Sequence, residues 1–266
     1  MYFFVDFTLW AGIGATLGLW RLAKSVPARQ SGVWVNVGLF VLMMALIGAR
    51  LSYVFINRAY FSTHPLEMPM VWLGGLTWPG AVVGVWLAMI YLSVVYRAPK
   101  TGKVSLGWIG DRLYPLLPPV VITAWLGCWQ SGVGYGAVAP QGAWWAVPSM
   151  DESGAVLMRW PVQLMAAGGL LIFFAVLEAR VRPLHPPGRL SGIALAGLLI
   201  HFLIFSILCV DPSPYWHGLR VDTWAALIFL LVFISYLLLN GLVVRLGRRL
   251  LRAGYERVTN ESTSTR

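Results

Sequence analysis

Charged and metal-binding residues are scarce in this sequence, and their scarcity excludes several classes of protein. Only 11% of the 266 residues are charged, whereas 58% are hydrophobic, which is too apolar for a soluble domain of this size. The four histidines are scattered, and none stands four residues from another metal ligand, so we predict no metal site and no cofactor. The two cysteines, Cys128 and Cys209, lie in apolar surroundings, and we expect buried thiols because their spacing does not support a disulfide.

Long apolar runs make up most of the chain instead. Several approach the ~20 residues that a helix needs to cross a bilayer, and they lack the alternation that is typical of β-barrel strands. We therefore predict an all-α, polytopic integral membrane protein, with a seven-span domain over 1–250 and a polar cytoplasmic tail over 251–266. The predicted spans are roughly 3–22, 33–56, 70–94, 109–127, 161–179, 191–209 and 223–244.

Basic residues alternate between the two sides of these spans. Sixteen of the 20 lysines and arginines fall on one set of connecting segments, and basic loops stay in the cytoplasm. This pattern predicts an outside N-terminus and a cytoplasmic C-terminus. The net charge of +10 is then an orientation signal and an attraction to anionic lipid headgroups, so we expect no nucleic-acid partner.

The segment 71–85 combines a long apolar run with residues that do not suit a plain membrane helix. Proline removes a backbone donor and glycine loosens the backbone, so we predict a broken or kinked helix here. Irregular backbone at membrane depth must be satisfied by protein or by a wet cavity. Two interpretations follow: a notch that binds a lipid headgroup, or a close crossing of two helices through small residues. The residues concerned are Gly74, Gly75, Pro79, Gly80 and Gly84.

Few polar side chains inside the spans offer chemistry. Arg50 lies near a span end beside Tyr53, and its guanidinium could either hold a phosphate by a bidentate hydrogen bond or reach to the interface. Gln163 lies one turn into the fifth span, after Arg159, and a buried amide must be hydrogen-bonded. His201, at mid-depth of the sixth span, is more typical of a packed residue than of a catalyst, and no acidic residue stands at a spacing that would complete a catalytic set.

Five segments, taken in chain order, carry a family resemblance. At 48–55 the sequence reads Gly-Ala-Arg-Leu-Ser-Tyr-Val-Phe, and at 74–84 it reads Gly-Gly-Leu-Thr-Trp-Pro-Gly-Ala-Val-Val-Gly; the others are 126–136, 159–164 and 218–224. Together they resemble motifs of the prolipoprotein diacylglyceryl transferases. These seven-span enzymes of the bacterial inner membrane move a diacylglyceryl group from phosphatidylglycerol to the lipobox cysteine of a prolipoprotein. The resemblance implies the same membrane, a part in lipoprotein biosynthesis and phosphatidylglycerol as a partner.

The resemblance also implies site residues, some kept and some lost. The family's essential His and Arg positions fall on Pro79, Trp125, Trp160 and Phe202, and no Arg lies within 113–158 or 190–219. Those groups would make the cysteine thiol nucleophilic and stabilise the leaving phosphate, so we predict no catalytic residue in this chain. The substrate-binding positions that are kept are Arg50, Tyr53, Gly75, Gly80, Gly132, Arg159 and Gln163.

Two functions remain open at this point. One is a catalytically silent relative that acts as a lipid-binding or structural subunit, with other membrane proteins as partners. The other is an active transferase that uses rearranged residues. The missing charged groups favour the first, and a transporter is disfavoured because no internal repeat is present. We also expect Gly75 and Gly80 to line a lipid-accessible cavity, with no titratable side chain near Pro79 taking over the lost His.

Overall fold

Helices dominate the computed structural model of the chain, which describes residues 3–95, 97–98, 102–151, 153–181 and 186–239. The α-helices in these ranges are α1 (Phe3–Lys24), α2 (Ala28–Ile56), α3 (Arg58–Thr63), α4 (Trp78–Val95), α5 (Leu106–Leu113), α6 (Leu117–Gln130), α7 (Val162–Arg180), α8 (Arg189–Leu208) and α9 (Val221–Leu239). Short antiparallel pairs join some of them: β1 (Arg97–Ala98) with β2 (Gly102–Lys103), β3 (Val147–Met150) with β4 (Val156–Arg159), and β5 (Tyr215–Trp216) with β6 (Leu219–Arg220). The predicted tail, 251–266, lies outside the described residues.

Among the residues that the structure describes, five helices are long and apolar enough to cross a membrane: α2, α4, α7, α8 and α9. The prediction of an all-helical, multi-pass membrane protein is therefore confirmed, whereas the number of seven spans and the orientation stay predictions. The fourth predicted span is interrupted as expected. A 3-10 turn, Tyr114–Leu116, separates α5 from α6, and Pro115 and Pro118 supply no backbone donor at this point.

The third predicted span begins later than 70, so its predicted start is wrong. Residues Val71–Leu73 form a 3-10 turn, Gly74 and Gly75 take positive φ angles of 81° and 69°, and α4 begins at Trp78. Pro79 is thus the second residue of a helix, where its missing N–H would have no intrahelical partner anyway. The break that the glycines and proline predicted lies before the helix rather than inside it.

Glycines make the crossing of α2 and α4 unusually close. A Cβ placed on Gly80 would collide with the carbonyl oxygen of Gly48 and with Cβ of Ser52, and one on Gly84 would collide with the carbonyl oxygen of Met44. Backbones approach this closely only where both helices present small residues. Of the two interpretations given for this segment, the structure therefore shows the close helix crossing at these two glycines.

Adding one methyl group to this crossing should destabilise the protein. We expect Gly84→Ala to lower the free energy of unfolding by about 1–3 kcal/mol, the usual cost of overpacking. Gly168→Ala is the matched control, because a Cβ on that helical glycine meets nothing within 4 Å, and alanine favours helix by up to about 1 kcal/mol over glycine. Thermal unfolding in detergent checks the pair, and equal melting temperatures would contradict the close crossing.

The α1 helix pairs in the same way with α6, although about 100 residues separate them. A Cβ on Gly14 would collide with Oγ1 of Thr123, and one on Gly18 would lie 2.8 Å from the carbonyl oxygen of Leu116. This face of α1 is therefore covered only after α2, α4 and α5 have been added to the chain, although α2 packs against another part of α1. Two hydrophobic clusters result, one around Leu22 and Ile109 and the other on α7 and α8.

Polar contacts tie the helices together at the end of the bundle where the basic loops lie. Asp111 of α5 accepts hydrogen bonds from the backbone N–H groups of Gly188 (2.6 Å) and Ser191 (2.8 Å). Its carboxylate therefore caps the N-terminus of α8, where a negative charge is stabilising. At the same end Arg21 pairs with Glu178 at 2.6 Å, which joins α1 to α7.

Candidate functional site

Arg50 lies near the end of α2 and is only 5% exposed. Its guanidinium donates to four backbone carbonyl oxygens of the segment that precedes α4: Nε to Met68 (2.9 Å), Nη2 to Glu67 (2.6 Å), and Nη1 to Gly74 and to Gly75 (3.3 Å). These bonds occupy four of its five N–H donors. A bidentate contact with a phosphate needs two N–H groups, so it would require one of these bonds to break.

Aromatic rings complete the surroundings of Arg50. Its guanidinium carbon lies 5.6 Å from the ring centroid of Tyr53 and 5.3 Å from that of Phe61, within cation–π range. A Cβ on Gly75 would collide with the Tyr53 ring, and the positive φ of Gly75 also favours glycine. Arg50, Tyr53 and Gly75 therefore form one packed unit, which joins α2 to the segment before α4.

A second group of contacts forms around the backbone of residues 133–135, at the same end of the bundle as Arg50. The Gln163 amide, fully buried near the start of α7, donates to the carbonyl oxygen of Val133 at 3.2 Å. Cys209, at the end of α8, donates its S–H to the carbonyl oxygen of Gly134 at 3.2 Å, and Tyr135 accepts from the backbone of Val210 at 2.9 Å. The segment thus connects the start of α7 with the end of α8.

Arg159, at the end of β4, extends this second group. It is 6% exposed, its Nη2 donates to Asp151 at 3.1 Å, and its guanidinium lies 4.3 Å from the ring centroid of Tyr135. Hydrogen bonds from Ser153 lower the pKa of the Asp151 carboxyl, and the charge of Arg159 acts in the same direction. Gly132 belongs here too, because a Cβ there would lie 3.0 Å from the carbonyl oxygen of Met150 in β3.

Two buried polar atoms of this second group are left without hydrogen-bond partners among the residues that the structure describes. They are Nε of Arg159, a donor, and Oε1 of Gln163, an acceptor. Buried polar groups are nearly always hydrogen-bonded, so each is available to a ligand or a water molecule. Arg159, Gln163 and Gly132 are therefore brought together, whereas Arg50, Tyr53, Gly75 and Gly80 belong to the contacts of α2 with α4 and its preceding segment.

Aromatic packing occupies the positions where the family resemblance implies essential charged residues. Phe202 of α8 stacks on Trp78 with ring centroids 4.3 Å apart. Trp125 of α6 packs against His201 at 5.8 Å, and Trp160 lies 4.1 Å from Trp145. Rings of this size fill space that smaller polar side chains would leave to a substrate.

His201 is packed, as its lone position in an apolar helix suggested. Its ring lies 4.4 Å from that of Phe205, and its Nε2 has no hydrogen-bond partner within the described ranges. The Asp222 carboxylate, however, lies near the indole of Trp78, the neighbour of Pro79. A titratable group thus lies near Pro79, although whether it replaces the lost His stays untested.

Sequence reasoning assigned no function to Arg220. In the structure this residue holds several segments together at the same end of the bundle as the second group. It is 6% exposed and donates to the carbonyl oxygens of Cys209 (3.1 Å) and Asp211 (2.7 Å) and to the Asp211 carboxylate (2.9 Å). Its Asp222 neighbour lies at 3.9 Å. An arginine between two aspartates close in sequence was the signal that could have identified it.

The cysteines are free thiols, as predicted, although only Cys209 is fully buried and Cys128 is half-buried. Two grooves of the described structure lie away from the predicted site residues. One lies between α1, α6 and α7 and the other is a small cleft beside Trp34 and Ile109. The expected cavity beside Gly75 and Gly80 is neither of these, because neither glycine lines them.

The apolar helices, with buried arginines near their ends, define a multi-pass helical membrane protein. Comparison with known proteins gives the family. The chain belongs to the prolipoprotein diacylglyceryl transferase family, whose model matches residues 6–239, so the resemblance drawn from the five motifs is confirmed. The protein is accordingly a multi-pass protein of the bacterial inner membrane.

Several curated relatives carry the name phosphatidylglycerol–prolipoprotein diacylglyceryl transferase. The one from Paramagnetospirillum magneticum is 31% identical over 200 residues, which are 69% of this chain and 68% of the relative. One from Vibrio vulnificus strain YJ016 is also 31% identical over 200 residues, 71% of this chain and 69% of the relative. The Cupriavidus pinatubonensis protein is 29% identical over 270 residues, covering 95% of this chain and 92% of the relative.

Proposed function

We propose that this chain is a catalytically silent member of its family, which binds phospholipid and serves as a structural subunit in the bacterial inner membrane. The single observation that carries the proposal is the aromatic packing at the positions implied to be essential. Phe202 is stacked on Trp78 and Trp125 is packed on His201, so these positions hold neither a cation nor a base. In this proposal 1–250 forms a seven-span membrane domain and 251–266 a cytoplasmic tail.

The bonding of Arg50 supports the same proposal. Transfer from a phosphatidylglycerol donor would need cations on the phosphate that leaves, and Arg50 is the cation kept from the 48–55 motif. Four of its donors are already engaged with carbonyl oxygens. It is suited to hold the segment before α4 in place, and a silent scaffold needs that function as much as an enzyme does.

The lipid that the proposal assigns to the outer-side group is phosphatidylglycerol, the substrate in the name of the relatives. Nε of Arg159 and Oε1 of Gln163 are buried without partners in the described structure, and they offer one donor and one acceptor. A glycerol headgroup carries both hydroxyl groups and a phosphate, so it can satisfy each atom. The proposed contacts of this lipid are Gly132, Arg159 and Gln163. The other predicted binding residues, Arg50, Tyr53, Gly75 and Gly80, are engaged in the contacts of α2 with α4 and its preceding segment.

An active transferase is the second candidate, and the position of Asp222 favours it. This carboxylate lies near Trp78, next to the position of the lost His, where a base would be needed to activate a thiol. Arg220 lies 3.9 Å from Asp222 and would be the accompanying cation. Against this candidate, Arg220 is already bound to Asp211 and to two carbonyl oxygens.

A transferase assay separates the two candidates. Purified protein would be incubated with phosphatidylglycerol and a lipobox peptide, with the Vibrio vulnificus relative as the positive control, and the peptide mass would be measured. We expect a rate below roughly one thousandth of the relative's, because each lost acid–base group is worth about 10²–10⁴-fold. A diacylglyceryl mass gain that Asp222→Asn or Arg50→Ala abolishes would overturn the silent function.

The binding part of the proposal needs its own measurement. Protein purified under native conditions should carry phosphatidylglycerol, and Gln163→Leu should reduce the bound amount because it removes the free acceptor without changing the volume much. Ser93→Leu, a partly exposed polar position on α4 whose hydroxyl donates to Ile90 of the same helix, is the matched control. A protein that is free of lipid and of partner proteins would contradict this part.

A further inference from the structure

A groove of about 310 Å³ lies between α1, α6 and α7, near the end of the bundle that carries the basic loops. It contains none of the seven predicted site residues. Its walls come from the second half of α1, with Leu17, and from the middle and second half of α7, with Leu171 and Phe174, whereas Ile122 lies on the α6 side. The α6 helix packs against both other helices, so it forms the floor of the groove.

The groove has the character of an acyl-chain site. Leu17 is 47% exposed and Leu171 is 59% exposed, and such apolar side chains at membrane depth face lipid rather than water. Pro118 and Pro119 line the floor, where they present no backbone N–H. Its volume lies at the lower end of the range for small-ligand sites, which suits one hydrocarbon chain.

An ion pair closes the groove at the end where a headgroup would lie. Arg21 donates through Nη2 to Oε1 of Glu178 at 2.6 Å, and the hydroxyl of Tyr114 donates to the same oxygen at 3.1 Å. The two charged side chains remain 32% and 39% exposed. Among the described contacts, Oε2 of Glu178 accepts no hydrogen bond and four N–H groups of Arg21 donate none, so both residues can bind a further partner.

We infer that this groove binds a phospholipid whose headgroup carries both a phosphate and a primary ammonium. The acyl chain lies between Leu17 and Leu171, the phosphate accepts from the free N–H groups of Arg21, and the ammonium donates to Oε2 of Glu178. An anionic glycerol headgroup satisfies Arg21 equally well, but it brings no cation to the Glu178 carboxylate. The pair of opposite charges therefore selects the zwitterionic lipid.

This site is separate from the lipid contacts of the proposed function. Arg159 and Gln163 lie at the ends of α7 and its preceding hairpin, whereas Arg21 and Glu178 end α1 and α7 on the opposite side. By the predicted orientation, the groove faces the cytoplasmic leaflet. The inference holds for a silent protein and for an active enzyme alike, so its failure would leave the proposed function untouched.

Native mass spectrometry of the full chain tests the headgroup. Protein would be titrated with dioleoyl phosphatidylethanolamine and, separately, with dioleoyl phosphatidylglycerol. We expect the ethanolamine lipid to bind on the order of tenfold more tightly, the effect of one charge-assisted hydrogen bond. Glu178→Gln should remove this preference, whereas Glu67→Gln, at the other end of the bundle, should keep it; equal binding of both lipids by the wild type would overturn the inference.

A second pair of variants tests the chain position. Ala175 lines the groove, whereas the adjacent Val176 is 53% exposed and does not. We expect Ala175→Phe to lower the affinity for dioleoyl phosphatidylethanolamine on the order of tenfold by filling the groove, and Val176→Phe to leave it unchanged. Equal affinities in the two variants would place the lipid elsewhere and would overturn the inference even if Glu178→Gln failed to fold.

Discussion

Replacing Arg50 with methionine should lower the free energy of unfolding by about 3–5 kcal/mol, the cost of breaking a buried charged network. The guanidinium donates to carbonyl oxygens of Met68, Glu67, Gly74 and Gly75. Methionine keeps an unbranched apolar stem but lacks the guanidinium and donates no hydrogen bond. Each carbonyl left buried without a partner costs about 1–3 kcal/mol, and the segment before α4 loses its main attachment to α2.

Unfolding by SDS in mixed micelles would measure this loss. Arg58→Met is the matched control, since Arg58 is exposed and only approaches the Phe55 ring at 6.0 Å; we expect a change within about 0.5 kcal/mol. Arg50→Lys should fall between the two, because an ammonium is a point charge that cannot reach four carbonyl oxygens in the plane of the guanidinium. If Arg50→Met unfolded at the same SDS fraction as Arg58→Met, contacts other than those of Arg50 would have to hold this segment.

Arg220→Met is expected to have an effect of similar size, about 3–5 kcal/mol. Arg220 is 6% exposed and joins the end of α8 to the hairpin before α9 through Cys209 and Asp211. Its removal leaves the Asp211 carboxylate, itself 14% exposed, without its partner. A buried charge without a partner is costly to keep, so α9 should lose its fixed position against α8.

A double-mutant cycle separates the ion pair from the rest of this effect. We expect Asp211→Asn to restore part of the stability lost in Arg220→Met, because it removes the uncompensated charge, and the two changes should not be additive. Arg189→Met, an exposed arginine at the start of α8, is the control and should change stability by less than about 0.5 kcal/mol. Fully additive changes would show that Arg220 acts through its carbonyl contacts alone.

Much of the architecture could be predicted because a helix that crosses a membrane needs a continuous run of apolar residues, which is visible in the local sequence. Runs of apolar residues near the length of a bilayer predicted the helices that the structure contains, and Gly74, Gly75 and Pro79 predicted a break. The sequence did not show whether that break lies inside the helix or before it. Proline is disfavoured inside a helix but well suited to its first turn, and only the packing of Arg50 against the preceding carbonyl groups decides between the two.

The residues of the candidate site could be predicted from the sequence, whereas their hydrogen-bond partners could not. The motifs identified Arg50, Arg159 and Gln163, and all three are buried. Which donor meets which acceptor depends on residues distant in sequence, such as Val133 for Gln163 and Asp151 for Arg159. Spacing therefore gave candidates for phosphate binding, whereas the structure shows which of their atoms are already engaged.

Arg220 was passed over for a related reason. Its burial depends on the β5–β6 hairpin, which turns the chain back through His217 and Gly218 with positive φ angles of 47° and 78°. A six-residue hairpin without alternating apolar residues gives little signal in a sequence. The two nearby aspartates indicate an ion pair, but only the fold shows that Arg220 is buried beside the end of α8.

The pairing of α1 with α6 sets the order in which the protein can assemble during synthesis. The Gly14 and Gly18 face of α1 has its partner near Leu116 and Thr123, so about 100 residues must be added before that face is covered. At about 5–20 residues per second, this face of α1 stays without its partner for roughly 5–20 s. Nascent chains that stop after α4 are therefore expected to carry an uncovered small-residue face, to which other helices can pack closely.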